Sequence, residues 1–109
     1  MEPECAVAYR EGDVIHLHSG SQNVYDDRHE VSRMLGIPEE SVKVHSMLVG
    51  GGFGGKEDMS VQHHASLVAW LTGKPTKVLF SRQESLNIHP KRHAMEMDIT
   101  TACDAEGNL

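Results

Sequence analysis

The stretch Gly50-Gly51-Gly52-Phe53-Gly54-Gly55-Lys56-Glu57 holds half of the chain's 10 glycines, wrapped around one aromatic ring. Ordering a glycine costs more backbone entropy than ordering any other residue. Five in eight positions therefore mark a place where something must approach the backbone closely, or where the chain must take positive φ angles. The run lies between an apolar alternating stretch, residues 42–49, and a helix-like stretch, residues 59–71. It reads as a strand, glycine loop, helix junction, and the bare N–H groups of such a junction suit an oxyanion or a phosphate.

Three readings of the loop stand side by side. Gly50, Gly55 and Lys56 fit the phosphate loop G-x-x-x-x-G-K, but the magnesium-holding Ser or Thr that should follow is Glu57, whose carboxylate would repel phosphate oxygens. Gly50, Gly52 and Gly55 fit the dinucleotide pattern G-x-G-x-x-G, but the following strand runs into Arg82 and offers no acid for a ribose. The third reading is a plain turn with no ligand, although such turns need one or two glycines rather than five.

Outward from the loop the chain reads in order. Residues 4–10 alternate, with Cys5, Val7 and Tyr9 on one face and Ala6 and Ala8 on the other. Glu11-Gly12-Asp13 is turn chemistry, and residues 14–18 alternate again, so the two segments predict a hairpin. His16 and His18 share a face at zinc-ligand spacing, but no third ligand matches them, and histidines on a half-exposed strand are the plainer reading. Val24, Arg28, Val31 and Leu35 recur at helical spacing up to the stop at Gly36 and Pro38. Asp26 and Asp27 fall early and Arg33 late, which suits the helix macrodipole; the aspartate pair is expected in a solvated first turn rather than on a metal.

Residues 42–49 predict a strand entering the loop. A helix from about Glu57 to Thr72 should follow, with Val61, Ala65 and Val68 on one side and Leu67, Trp70 and Leu71 widening the apolar arc until the helix is central and buried. His63 and His64 face different ways and read as packing or capping residues. Gly73 stops this helix before a strand at residues 76–80. Ser81-Arg82-Gln83-Glu84 resembles a capping box opening a short helix anchored by Leu86. Residues 94–103 alternate, Met95, Met97, Ile99 and Thr101 against Glu96, Asp98 and Thr100, and predict a long half-exposed strand before a turn at residues 104–108. The order β-β-α-β-α-β-(α)-β implies an α+β (mixed α/β) fold, a mixed sheet with about two main helices on one face.

At 109 residues the chain is a single domain, and with 39% hydrophobic and 5% aromatic residues its core is modest. It carries 16 acids against 10 bases, a net charge of −6, and no basic stripe, which argues against nucleic acid. No apolar run reaches the ~18 residues a membrane span needs, and the acidic start lacks the pattern of a signal peptide. Cys5 and Cys103 lie far apart and read as buried free thiols in a reducing cytoplasm. The chain opens on a strand and closes on a turn whose return strand is missing, so it is expected to be a fragment of a larger domain.

Taken as a block, GGGFGGKE resembles the signature loop of the molybdenum hydroxylases, and most of all that of the xanthine dehydrogenase/xanthine oxidase group. The resemblance covers most of the chain. Residues 19–23, with Gln22-Asn23, resemble a short family segment; Met34-Leu35-Gly36-Ile37-Pro38 resembles Met-Leu-Gly-x-Pro; Thr72-Gly73-Lys74-Pro75 and the pair Arg92-His93 also have counterparts. It implies a molybdenum–molybdopterin cofactor, hydroxylation of purines, aldehydes or N-heterocycles with water-derived oxygen, and electron exit through iron–sulfur clusters and FAD on other domains or subunits.

Local roles follow from the resemblance. Gln22 matches a glutamine whose amide lies beside an oxygen ligand of molybdenum, and an amide donates there without adding charge. Phe53 and Gly54 match residues whose backbone N–H groups face that oxygen, while Gly52 and Gly55 let the backbone approach the cofactor. Glu57 matches a glutamate that hydrogen-bonds a purine substrate; relatives acting on aldehydes often carry an apolar residue there. The plainer alternatives are a helix-capping Gln22, a Glu57 in a helical first turn, and a solvent-facing Lys56. The family's catalytic base, its substrate-clamping arginine and its iron–sulfur cysteines have no counterpart here, so the isolated chain is expected to be inactive. A phosphate- or nucleotide-binding module, and an interaction domain whose exposed sheet edges form a homo-oligomer, are the rival classes.

Overall fold

A computed structural model describes residues 3–108, so Met1 and Glu2 of the acidic start lie outside the described residues, as does Leu109. The hairpin forms as the alternation predicts: β1 (Cys5–Glu11) pairs antiparallel with β2 (Val14–Ser19), Ala8 opposite Leu17 and Tyr9 opposite His16. Helix α1 (Val24–Leu35) then crosses to β3 (Val42–Ser46), which lies parallel to β2. Helix α2 (Gln62–Thr72) crosses back to β4 (Thr76–Leu79), antiparallel to β1, giving the mixed order β3-β2-β1-β4. A short helix α3 (Arg82–Ile88) follows, with the capping box between Ser81 and Glu84 present in full.

Both long helices cover one face of the sheet. There Ala6, Ala8, Ile15 and Leu17 are fully buried against Val31 of α1, Val61 just ahead of α2, and Ala65 and Ala69 of α2. Alanines on β1 and at i, i+4 on α2 let that helix sit close to the strand. Burying Ile15 and Leu17 stabilises the layer by roughly 1.5–3 kcal/mol each. The other face carries a stack of rings: Tyr9 on His16 at 4.8 Å, His16 on His45 at 5.5 Å and His45 on His18 at 4.3 Å between centroids. His16 and His18 do share a face, but their rings stack instead of converging, and among the described residues no three His, Cys, Asp or Glu side chains come together as a metal site.

The fold departs from the sequence pattern at several places. Residues 94–103 pair with no strand and are exposed throughout, with Met95, Met97 and Ile99 about 70% accessible. Their period-two pattern is real, but a strand needs a ladder partner for its backbone groups, and among the described residues none lies beside them. Strand β3 stops at Ser46, and α2 begins at Gln62 rather than near Glu57, because the Gln62 side chain takes the N–H groups of Ser60 and Val61 ahead of the helical ladder. Helix α2 is half-buried, not central: Leu71 is 73% exposed, since only one side of the helix faces the sheet. Leu86 is likewise exposed; Ser85 is the buried residue of α3, donating to Glu4 Oε1 at 2.8 Å. Cys5 and Cys103 are both free, but Cys103 is exposed on the projecting segment.

Candidate functional site

The site is assembled where two connections meet, the turn at residues 19–23 after β2 and the long loop at residues 47–61 after β3. Because β2 and β3 are parallel neighbours, both connections leave the sheet at the same end. A backbone hydrogen bond from Met47 N–H to the Ser19 carbonyl, 3.0 Å, carries the pairing past Ser46 and holds the two exits together.

The glycine loop is shaped by its missing side chains. Phe53 has φ 49°, the one non-glycine residue with positive φ among those described, and Gly54 follows at φ 78°. The turn closes with Gly55 N–H donating to the Gly52 carbonyl at 2.8 Å. The Phe53 ring folds back over Gly51, where a Cβ would sit 2.5 Å from the ring edge. Among the described residues the Phe53 and Gly54 N–H groups donate to no backbone carbonyl. A left-handed conformation costs a non-glycine residue roughly 1–2 kcal/mol, so the chain holds Phe53 in a strained form where its peptide N–H is left for another acceptor.

Gln22 comes to this loop from the other connection. A Cβ built on Gly52 would lie 3.1 Å from Gln22 Nε2, so the amide occupies the space that glycine vacates. Asn23, not Gln22, caps α1, its side chain accepting from the N–H groups of Tyr25 and Asp26; the capping role considered for Gln22 therefore falls away. Lys56 is half-buried, and a Cβ on Gly20 would meet its Nζ at 3.4 Å, so it lies across the turn instead of facing solvent. Glu57 is exposed and precedes α2 by several residues, which removes the first-turn explanation for it. It lines neither cleft beside the loop. One cleft, of about 660 Å³, runs over the open sheet face past His18, Gly20 and Lys56. The other, of about 300 Å³, is bounded by residues 51–56, Glu4, Ser85 and His89.

Sequence reasoning missed the carboxylate behind the turn. Asp27 is 2% exposed rather than solvated. Ser19 Oγ donates to its Oδ2 at 3.4 Å, with the Ser21 hydroxyl and the Gln62 side chain nearby. Burial pushes its carboxyl above the ordinary aspartate value, outweighing these polar neighbours and the nearby His63, which pull it down. The signal that could have located it was the helical phase: Asp27 stands four residues before Val31, on the face that meets the sheet.

An amide packed on a glycine of a turn whose Phe53 and Gly54 N–H groups have no backbone acceptor among the described residues suits an oxygen ligand held close to backbone. The chain belongs to the molybdopterin cofactor-binding domain family, which matches residues 1–109. It is 40% identical to a protein of Bacillus subtilis (strain 168) described as a probable xanthine dehydrogenase subunit, over 100% of this chain and 15% of that protein. It is 39% identical to the nicotinate dehydrogenase large molybdopterin subunit of Eubacterium barkeri, over 100% of this chain and 26% of that one. In solved structures it superposes on quinoline 2-oxidoreductase from Pseudomonas putida 86 with TM-score 0.73 and 31% identity, covering 78% of this chain and 11% of that one. The aldehyde oxidoreductase of Desulfovibrio gigas shares the fold, with TM-score 0.73 over 80% of this chain and 10% of that one. The chain thus spans about a quarter or less of the relatives it matches. Among the described residues no helix is long and apolar enough to cross a membrane.

Proposed function

We propose that this chain forms one wall of the molybdenum site in a xanthine dehydrogenase-like hydroxylase that oxidises purines or related N-heterocycles. The observation that carries the reading is the Gln22 amide seated against Gly52, beside the positive-φ turn at Phe53 and Gly54. When bound, the molybdenum–molybdopterin group supplies the two-electron redox step and the activated oxygen. The chain supplies orientation. Gln22 would offer the group an uncharged N–H donor, and the N–H groups of Phe53 and Gly54 would offer two more from the backbone. Gly52 and Gly55 keep side chains out of that space. Glu57, projecting from the far end of the loop, accepts from a ring N–H of the substrate.

The iron–sulfur clusters and FAD that drain the electrons lie on other domains or subunits of a cytoplasmic assembly, which the exposed sheet edges let form a homo-oligomer. The 109-residue chain alone then holds no stoichiometric molybdenum, and metal analysis by mass spectrometry of the purified chain tests that. A pyridine carboxylate is the second reading of the substrate, favoured by the 39% identity to the nicotinate dehydrogenase subunit.

The intact enzyme carrying this chain, assayed with xanthine, nicotinate and an aromatic aldehyde, should turn over the purine fastest. Glu57→Gln should lower purine kcat/KM about 10- to 100-fold, the loss of one hydrogen bond to a charged group, with molybdenum content unchanged. An enzyme that prefers the aldehyde and ignores Glu57→Gln would overturn the substrate assignment.

A further inference from the structure

The glycine turn has a neighbour besides Gln22 and the Phe53 ring. Ala6 pairs with Ser19, so the start of β1 lies at the sheet end where both connections leave. Glu4, one residue ahead of β1, is fixed there by its backbone carbonyl, which accepts the Phe80 N–H at 3.0 Å. Its side chain is 9% exposed. On one side its Oε1 accepts from Ser85 Oγ of α3 at 2.8 Å. On the other, a Cβ built on Gly55 would lie 3.7 Å from that same Oε1 and 3.8 Å from His89 Nε2. Gly55 is the residue whose N–H closes the turn on the Gly52 carbonyl. A carboxylate and an imidazole edge therefore pack against the closing residue of the turn. Their own pairing is incomplete. Glu4 Oε2 and both ring nitrogens of His89 are buried with no hydrogen-bond partner among the described residues, and His89 Nε2 stands 3.9 Å from Glu4 Oε1. An unpaired buried donor or acceptor costs about 1–3 kcal/mol, which apolar side chains of similar shape would avoid. The stability of this sheet end thus gives no reason for the pair. Backbone strain does: a residue keeps a strained conformation only where its surroundings over-determine it. Phe53, at φ 49°, is two residues from Gly55.

We infer that Glu4 is a positioning residue for the molybdenum site: wedged between Ser85 of α3 and Gly55, its side chain keeps the glycine turn closed and the Phe53 and Gly54 N–H groups in place. The inference rests on the proposed role of that wall of the site. Glu4 acts through Gly55, by packing, while Ser85 holds the carboxylate in position.

The intact enzyme carrying this chain provides the test, with Glu4→Ala, Glu4→Gln and Gln22→Ala compared, and Val31→Ala as a control that weakens the fold from the core. The readouts are molybdenum per polypeptide, the thermal midpoint, the electron paramagnetic resonance signal of partly reduced enzyme, and kcat and KM separately. Glu4→Ala should keep most of its molybdenum, alter the resonance signal and lower kcat about 10- to 100-fold, as expected for a displacement near 1 Å. Glu4→Gln keeps the bulk against Gly55 and an oxygen for Ser85; it should retain the signal and lose less than about 5-fold in kcat. Val31→Ala should lower the midpoint and leave the signal in place. A wild-type signal and kcat in Glu4→Ala, with Gln22→Ala altered, would overturn this inference alone. Equal losses in Glu4→Gln and Glu4→Ala, or the same signal change in Val31→Ala, would do likewise. Wild-type signals in Gln22→Ala and Glu4→Ala alike would take the wall away from the metal, and this inference would fall with that reading. Should Glu4→Ala not accumulate, Gly55→Ala replaces it. Gly55 is not among the positive-φ residues, so the added methyl presses on Glu4 and His89 from the loop side without backbone strain, and its signal and kcat are read in the same way.

Discussion

The two connections that make the site are held in opposite ways. The turn at residues 19–23 is short, and side chains fix it: Ser19 bonds to a buried carboxylate, Ser21 accepts the Asn23 N–H, and Asn23 caps the helix that follows. The loop at residues 47–61 is three times as long, and backbone conformation fixes it, with the glycines at 51, 52, 54 and 55 leaving room for a folded-back ring, a neighbouring amide and a positive φ. The comparison teaches that one wall is built from interactions that can be deleted one at a time, and the other from atoms that are absent. Damage should accordingly come from subtraction in the turn and from addition in the loop.

Addition to the loop is expected to have the largest effect. In Gly51→Ala the new Cβ falls 2.5 Å from the Phe53 ring, which must leave. The ring is 84% exposed, so its departure should change the melting temperature little. The strained Phe53 peptide, however, loses the packing that holds it, and activity of the intact enzyme should drop about 100-fold. Near-normal turnover would show that the ring does not fix the turn. Gly54→Ala adds no contact within 4 Å, but it places a side chain at φ 78°; it should cost roughly 1–2 kcal/mol in stability.

What the sequence revealed follows the same division. The hairpin, both crossovers and the capping box of α3 were legible because each rests on local chemistry: alternation, helical spacing, or a Ser and a Glu three residues apart. The glycine loop was legible because five glycines have few other uses. The segment at residues 94–103 misled because its alternation is as regular as that of β2, yet β2 has two neighbours and this segment has none among the described residues. Period two reports a face, not a partner. Asp27 misled for a related reason. An aspartate in a first helical turn is ordinary on the surface, and here the hydroxyl of Ser19, from the preceding turn, meets it in the buried layer.

Subtraction from the turn comes next in size. Asn23→Ala removes the acceptor for Tyr25 and Asp26 N–H and should cost about 1 kcal/mol, within the roughly 0.5–2 kcal/mol span of such caps. Chemical denaturation of the intact protein would measure it. Because Asn23 also donates its N–H to Ser21, through the backbone and not through the side chain, that bond and the Ser19–Asp27 bond should survive this substitution. Loss of the cap should thus lower stability without altering the molybdenum content of the intact enzyme.

The smallest effect is a dependence on pH, and it has opposite signs at two carboxyls, Asp27 of α1 and Glu39, which bonds Arg28 and His29 of the same helix. Burial raises the Asp27 carboxyl above its ordinary 3.8, so just above that pH the folded chain keeps a proton that the unfolded chain has released. Stability from this group is then full below about pH 3.8 and declines as pH rises through the folded value. Glu39, by contrast, accepts from His29 and Arg28, which hold its carboxyl below the ordinary 4.5. Its contribution is present above about pH 4.5 and is lost as pH falls through the folded value. Melting wild type, Asp27→Asn and Glu39→Gln across acidic pH should separate the two. The stability of Asp27→Asn relative to wild type should climb as pH rises from about 4, and that of Glu39→Gln should fall over the same interval. Parallel curves for Asp27→Asn and wild type would mean that the carboxyl behind the turn is solvated, and the division between a turn held by a buried acid and a loop held by glycine would be lost.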